Sequence, residues 1–145
     1  MNCIDLLKKE HEDIERELLE FEDIINFEEI NYPNLIHTFN KLSYIWNEHE
    51  NKEEKVFPIL EKERIKMPVY RMLFEHRDLR SHKQEIINAI NSGNEGKIKQ
   101  ALELHGKKII AKLREHIKFE DEILYTLALE EFNEEELKEL DSVLG

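Results

Sequence analysis

The chain is 145 residues long and carries 21 basic against 33 acidic side chains, a formal net charge of −12. That length supports one hydrophobic core and is too short for two, so residues 1–145 read as a single domain. The acidic balance argues against nucleic acid or an anionic membrane as partner and suits a soluble protein that attracts cations.

Composition narrows the class further. Four glycines and three prolines are few, while Glu, Lys, Leu and Ile abound, as in long helices. Cys3 is the one cysteine, which excludes an intramolecular disulfide and a thiolate metal cage and points to a reducing cytoplasm. No apolar run approaches the roughly 20 residues of a membrane span. Asp5 and Glu10 beside the first lysines do not make a signal peptide. There is no Gly-rich phosphate loop and no nucleophile elbow.

Residues 2–26 predict a first helix, with Ile4, Leu7, Ile14, Leu18, Phe21 and Ile25 on one stripe and His11 inside it. The segment Phe27 to Tyr32 breaks the period. Pro33 then fits the first turn of a second helix, where its missing N–H costs nothing. That helix runs to about Glu61, and Pro58 falls within its last turns, where a proline kinks or ends a helix, so an irregular final turn is expected. Met67-Pro68 marks the next break. A third helix follows to about Asn91, with Leu73, His76, Leu79, Ile86, Ile87 and Ile90 on one side. Asn91 to Gly96 is a loop, and a fourth helix runs from there to about Leu129. Asn133, followed by Glu134, Glu135 and Glu136, opens a short C-terminal helix to Val143. Four long amphipathic helices with short connections give an all-α fold: an antiparallel up-down-up-down four-helix bundle with a short C-terminal helix.

Two stretches carry the chemistry, His49-x-x-x-Glu53 and His116-x-x-x-Glu120. Residues four apart share a helix face, so each stretch aims an imidazole and a carboxylate at one point. At about 100° per residue, Leu35, Leu42, Trp46, Val56, Leu60 and Glu53 lie on the side of His49. Leu102, Ile109, Leu113, Ile123, Leu127 and Glu120 lie likewise on the side of His116. Ionisable groups in an apolar stripe need a partner, and a metal ion is the economical one.

Counting about 1.5 Å per residue puts His11 and His49 both roughly 22 to 24 Å from the end where their helices join. His76 is compatible with that level, while His116 lies up to two turns deeper than His76 predicts, which requires the fourth helix to overhang at its start. A weak internal repeat accompanies the register: His11 precedes His49 by 38 residues, and His76 precedes His116 by 40. Each of these four histidines also follows a glutamate, Glu10, Glu48, Glu75 and Glu115. Two similar halves suggest two metal ions, each with two imidazoles, bridged by Glu53 and Glu120. Imidazole with carboxylate and no thiolate suits iron or manganese, with zinc less favoured.

The residues Lys9-Glu10-His11, His49 through Pro58, Glu75-His76-Arg77 and His116 through Leu124 together resemble the hemerythrin-like, or HHE cation-binding, family. The resemblance implies a non-haem di-iron centre with an oxo or hydroxo bridge that reacts with oxygen, nitric oxide or peroxide. Oxygen carriers of the family have a further histidine four residues after the one in the third helix, where this chain has Arg80. They also place an aspartate five residues after the last histidine. Asp121 has that spacing here, but Glu120 points better toward the stripe. The set of four histidines and two glutamates resembles instead the branch that includes the Ric iron-centre repair proteins. Those usually carry an additional cysteine-containing N-terminal domain, for which a chain starting at Met1 has no room.

The expected metal ligands are therefore His11, His49, Glu53, His76, His116 and Glu120, with Glu15 and Asp121 as weaker alternatives. His105 reads as a core or helix-end histidine, and His37 and His82 as surface residues. Arg80 reads as solvated or paired with a carboxylate, Trp46 as packing, and Cys3 as buried filler. Two functions follow from the resemblance: reversible binding or sensing of oxygen or nitric oxide, and an iron-handling stress role that reduces nitric oxide or peroxide or repairs iron–sulfur clusters. A metal-free interaction bundle is the competing class. Ferritin-like chemistry fits less well, because no histidine has a glutamate three residues before it.

Overall fold

The computed structural model describes residues 1–63 and 68–144. Helix α1 spans Cys3–Ile25, α2 Tyr32–Glu63 and α3 Val69–Asn91. A continuous fourth helix, α4, covers residues 95–131. It is α-helical over Glu95–Ala101, Lys107–Phe119 and Tyr125–Glu131, and widens into π-helical turns over Leu102–Gly106 and Glu120–Leu124. Two short helices follow, α5 (Glu134–Glu139) and α6 (Asp141–Leu144). Among the described residues no helix is long and apolar enough to cross a membrane.

Local chemistry sets the ends. Asn2 caps α1 by accepting from the Asp5 N–H, while Asp5 accepts from the Asn2 N–H; Asn133 and Glu136 repeat this reciprocal pair at α5. Asn94 caps α4 through the Lys97 N–H. Between α3 and α4 the chain reverses at Gly93, whose φ of 65° is a left-handed conformation that costs glycine nothing. The expected break at Met67-Pro68 falls partly outside the described residues, and Pro68 directly precedes α3.

Side-chain pairs at each interface run in opposite sequence order, which fixes the antiparallel arrangement. Glu17 meets Lys41 and Glu10 meets His49 between α1 and α2; Asn47 meets Lys83 and Glu54 meets His76 between α2 and α3. Asp78 meets Lys112 and Glu75 meets His116 between α3 and α4; Arg114 meets Glu22 and Asp121 meets His11 across the closing α4–α1 interface.

Apolar packing falls into two clusters. One holds Ile14, Leu18, Phe21, Phe39, Leu42, Trp46, Leu79, Ile86 and Leu113; the other holds Ile4, Leu7, Val56, Phe57, Leu60, Met72, Leu124 and Tyr125. Along each of the four long helices the gap between the two clusters is where the buried histidines, and every buried glutamate but Glu17, lie: His11 between Leu7 and Ile14, His49, Glu50 and Glu53 between Trp46 and Val56, His76 between Met72 and Leu79, His116 and Glu120 between Leu113 and Leu124. The single bundle core is two apolar clusters with a polar layer clamped between them.

Two local expectations are corrected, and a third is met. The second helix carries Pro58 inside it and continues to Glu63, close to the expected end near Glu61, with Phe57 and Leu60 buried around the turn that lacks a hydrogen bond. The C-terminal helix is two pieces, broken at Leu140. Ile123 is 43% exposed and Leu127 only partly buried, while Leu124, Tyr125 and Ala128 are buried instead. The π turn at Glu120–Leu124 accommodates one extra residue, which rotates everything after it by one position.

Candidate metal centre

All six expected ligands are buried and converge in the polar layer: His11, His49, His76 and His116 are no more than 4% exposed, and Glu53 and Glu120 are fully buried. His11 Nε2 lies 2.9 Å and His49 Nε2 3.8 Å from Oε1 of Glu120; His116 Nε2 lies 3.0 Å and His76 Nε2 3.5 Å from Oε2 of the same carboxylate. Oε1 of Glu53 sits 3.3 Å from both His49 Nε2 and His76 Nε2. His76 and His116 thus meet on one carboxylate, although His116 is the deeper in its helix by residue count; the π turn at Leu102–Gly106 takes up one of the surplus residues.

Two groups of donors result, each compact enough to hold a metal ion: His11, His49, Glu53 and Glu120, and Glu53, His76, His116 and Glu120. They share the two glutamates. Oε1 of Glu53, Nε2 of His76 and Oε2 of Glu120 are buried with no hydrogen-bond partner. Buried polar atoms are rarely left that way, and here three of them face one another across the shared carboxylates. The donor set and its orphaned atoms fit a pair of cations.

An outer ring of carboxylates, which the sequence reading did not assign, orients the imidazoles. His11 Nδ1 bonds Asp121 at 2.8 Å, His49 Nδ1 bonds Glu10 at 2.9 Å, His76 Nδ1 bonds Glu54 at 3.1 Å and His116 Nδ1 bonds Glu75 at 2.8 Å. A carboxylate can only accept, so each Nδ1 carries the proton and each Nε2 is left for the interior. The ring is cyclic, every acid coming from the helix next to the histidine it holds. The signal was present in the sequence as adjacency: Glu10 and Glu75 precede His11 and His76, and Glu54 and Asp121 follow Glu53 and Glu120. A neighbour on a helix points about 100° away, toward the next helix rather than the same site. Of the four glutamates that precede histidines, Glu48 and Glu115 are exposed, as is Glu15.

Protonation follows this packing. Burial pulls the imidazole of His76 down, but Glu120, Glu53 and Glu54 outweigh it and the pKa is pushed up to about 12; the same opposition of burial against Glu120 and Glu75 takes His116 to about 9. His49 and His11 are raised in the same way. Burial pushes Glu120 up, yet His116 and the hydrogen bonds from its other neighbours hold it well below the usual carboxylate range. Protons on the imidazoles therefore supply the positive charge that the two carboxylates demand, at the place where a cation would otherwise supply it.

Tyr125 is the other residue that was missed. It is fully buried, donates to Oε2 of Glu53 at 2.7 Å, and places its oxygen 3.2 Å from His11 Nε2 and 3.3 Å from His49 Nε2. Burial and the charges of Glu120 and Glu53 raise its pKa well above 10, so the phenol is protonated here. Arg80 is paired, as one reading had it: its Nε bonds Oε2 of Glu50 at 2.9 Å and its terminal nitrogen bonds Glu54. Glu50, itself 1% exposed, also accepts from the Trp46 indole at 2.7 Å. The guanidinium thereby fills a third acidic grouping, Glu50 with Glu54 and His76. His82 is not a free surface residue: its Nδ1 lies 3.0 Å from Nδ1 of half-buried His105. His37 is exposed, and burial of Cys3 pushes its thiol up to about 11.

Fold and site together define a helical bundle built to bind metal cations. The chain belongs to the hemerythrin HHE cation-binding domain family, whose model matches residues 2–128. No curated protein and no solved structure matches it.

Proposed function

We propose that His11, His49, Glu53, His76, His116 and Glu120 hold two iron ions, His11 with His49 on one, His76 with His116 on the other, and Glu53 and Glu120 across both. The centre binds or senses a small diatomic ligand, oxygen or nitric oxide. One observation carries this reading: two donor groups that share both carboxylates, with buried atoms facing inward that make no hydrogen bond. Nitrogen and oxygen donors without thiolate suit iron ahead of manganese or zinc. The bound ions would supply open coordination positions and a reversible redox couple. The chain's own residues do the rest: the carboxylate ring fixes which imidazole nitrogen faces inward, and the two apolar clusters exclude water from above and below.

A second reading, an iron-handling stress protein that reduces nitric oxide or peroxide or serves cluster repair, is favoured by the equal division of imidazoles, two to each half, with Arg80 where a fifth would be. The single buried thiol is consistent with a cytoplasmic setting. Anaerobic reconstitution with ferrous iron tests both. The expected result is two irons per chain and a spectrum that changes with oxygen or nitric oxide and returns when the gas is removed. Consumption of nitric oxide or peroxide with turnover favours the second reading. His49→Ala or His116→Ala lowers the iron count, and an unchanged count in both rejects the ligand assignment.

A further inference from the structure

We infer that the phenol oxygen of Tyr125 is a further donor to the ion held by His11 and His49, and that the two metal positions are therefore unequal. This rests on the di-iron reading above and extends it. The phenol oxygen stands 2.7, 3.2 and 3.3 Å from Glu53 Oε2, His11 Nε2 and His49 Nε2. Donors about 2.0–2.1 Å from a common ion and at right angles to one another are separated by about 3 Å, so these are the spacings of atoms within one coordination shell. In the metal-free protein the same oxygen can accept from the two imidazoles while donating to Glu53, so the three partners already converge on one point.

The near-symmetry of the bundle shows that the other half lacks the counterpart. Phe57 follows Glu53 by four residues and Tyr125 follows Glu120 by five. The extra residue belongs to the π turn, in which the Tyr125 N–H bonds the Glu120 carbonyl five residues back, so the two aromatic side chains occupy matching places. Their rings stack with centroids 5.8 Å apart and 6° between planes. Only Tyr125 bears an oxygen, and it projects toward His11 and His49. His76 and His116 have no such group: among the described residues their Nε2 atoms face Glu53 and Glu120 alone. Without the inserted residue Leu124 would take the place of Tyr125 and both halves would be closed by apolar side chains.

Coordination would exchange the phenol O–H bond for an oxygen–metal bond, with the proton released to solvent. The ion of His76 and His116 then keeps the exchangeable position, where an external ligand enters. The test uses full-length protein loaded anaerobically with ferrous iron and then oxidised with ferricyanide, alongside Tyr125→Phe. The expected wild-type spectrum has a phenolate-to-iron(III) charge-transfer band in the visible, with phenolate ring modes enhanced in resonance Raman. Tyr125→Phe retains two irons per chain and an unchanged helical circular dichroism but loses band and modes. Two irons in the wild type without the band, or a band that survives in Tyr125→Phe, overturns the assignment of Tyr125 and leaves the di-iron reading standing. A wild type that takes up no iron overturns both.

Discussion

Replacing Glu75 by alanine is expected to weaken the binding of the proposed ion at His76 and His116 and to spare the one proposed at His11 and His49. Glu75 accepts from His116 Nδ1 at 2.8 Å and touches no other imidazole among the described residues, so its loss frees the His116 ring to rotate and lowers the basicity of Nε2. Loss of such a partner typically costs 10–100-fold in affinity. The Glu75 side chain is 26% exposed, and water can replace part of what it gave. The expected cost is therefore at the low end, about tenfold or ~1.4 kcal/mol. The measurement is an anaerobic titration of ferrous iron against a chromogenic chelator, resolved into two steps. One step weakens about tenfold and the other stays within about twofold. Glu115→Ala is the control, because it removes the same charge from an exposed position on α4 and leaves both steps unchanged. If Glu75→Ala and Glu115→Ala titrate alike, the outer carboxylates do not orient the imidazoles and the reasoning fails.

Three further outcomes follow from the same geometry. At free metal about 100 times Kd, two ions stabilise the fold by roughly 5 kcal/mol, so thermal melts with and without chelator should differ by about 10–20 °C, and superimposable melts would exclude a resident metal. In the metal-free protein, His116 has a folded pKa of about 9 against about 6.5 unfolded, so its contribution of roughly 3 kcal/mol is complete below pH 6.5 and lost as pH rises through 9. Urea midpoints of the apo protein should fall across that window, while metal affinity rises across it because the ion no longer competes with the proton. The glycines respond oppositely: Gly93→Ala forces a left-handed alanine and costs about 1–2 kcal/mol. In Gly106→Ala the added methyl meets Ile25, Leu102 and Phe21 at 3.6 Å, ordinary contact distance, and the variant gains about 0.5–1 kcal/mol in urea unfolding.

The polar layer illustrates how far local pattern carries. His11, His49, Glu53, His76, His116 and Glu120 are legible because a 3.6-residue period tells which side chains share a face with the apolar stripe, and because uncompensated charge in a stripe demands a partner. The same rule fails after Glu120. A wheel of constant pitch places Ile123 and Leu127 inside, whereas the π turn brings in Leu124, Tyr125 and Ala128. Pro58 stays inside the second helix, where the packing of Phe57 and Leu60 outweighs the missing backbone bond.

The sequence by itself determined the four amphipathic helices, their antiparallel order and the six inward-facing donors, because each of these depends on residues within a few turns of one another. Only the tertiary structure decided which helix supplies the acid behind each histidine, where Arg80 goes, and that Tyr125 enters the layer. Those relations join residues 22 to 114 positions apart. They are set by the relative rotation and height of packed helices, which no single helix encodes.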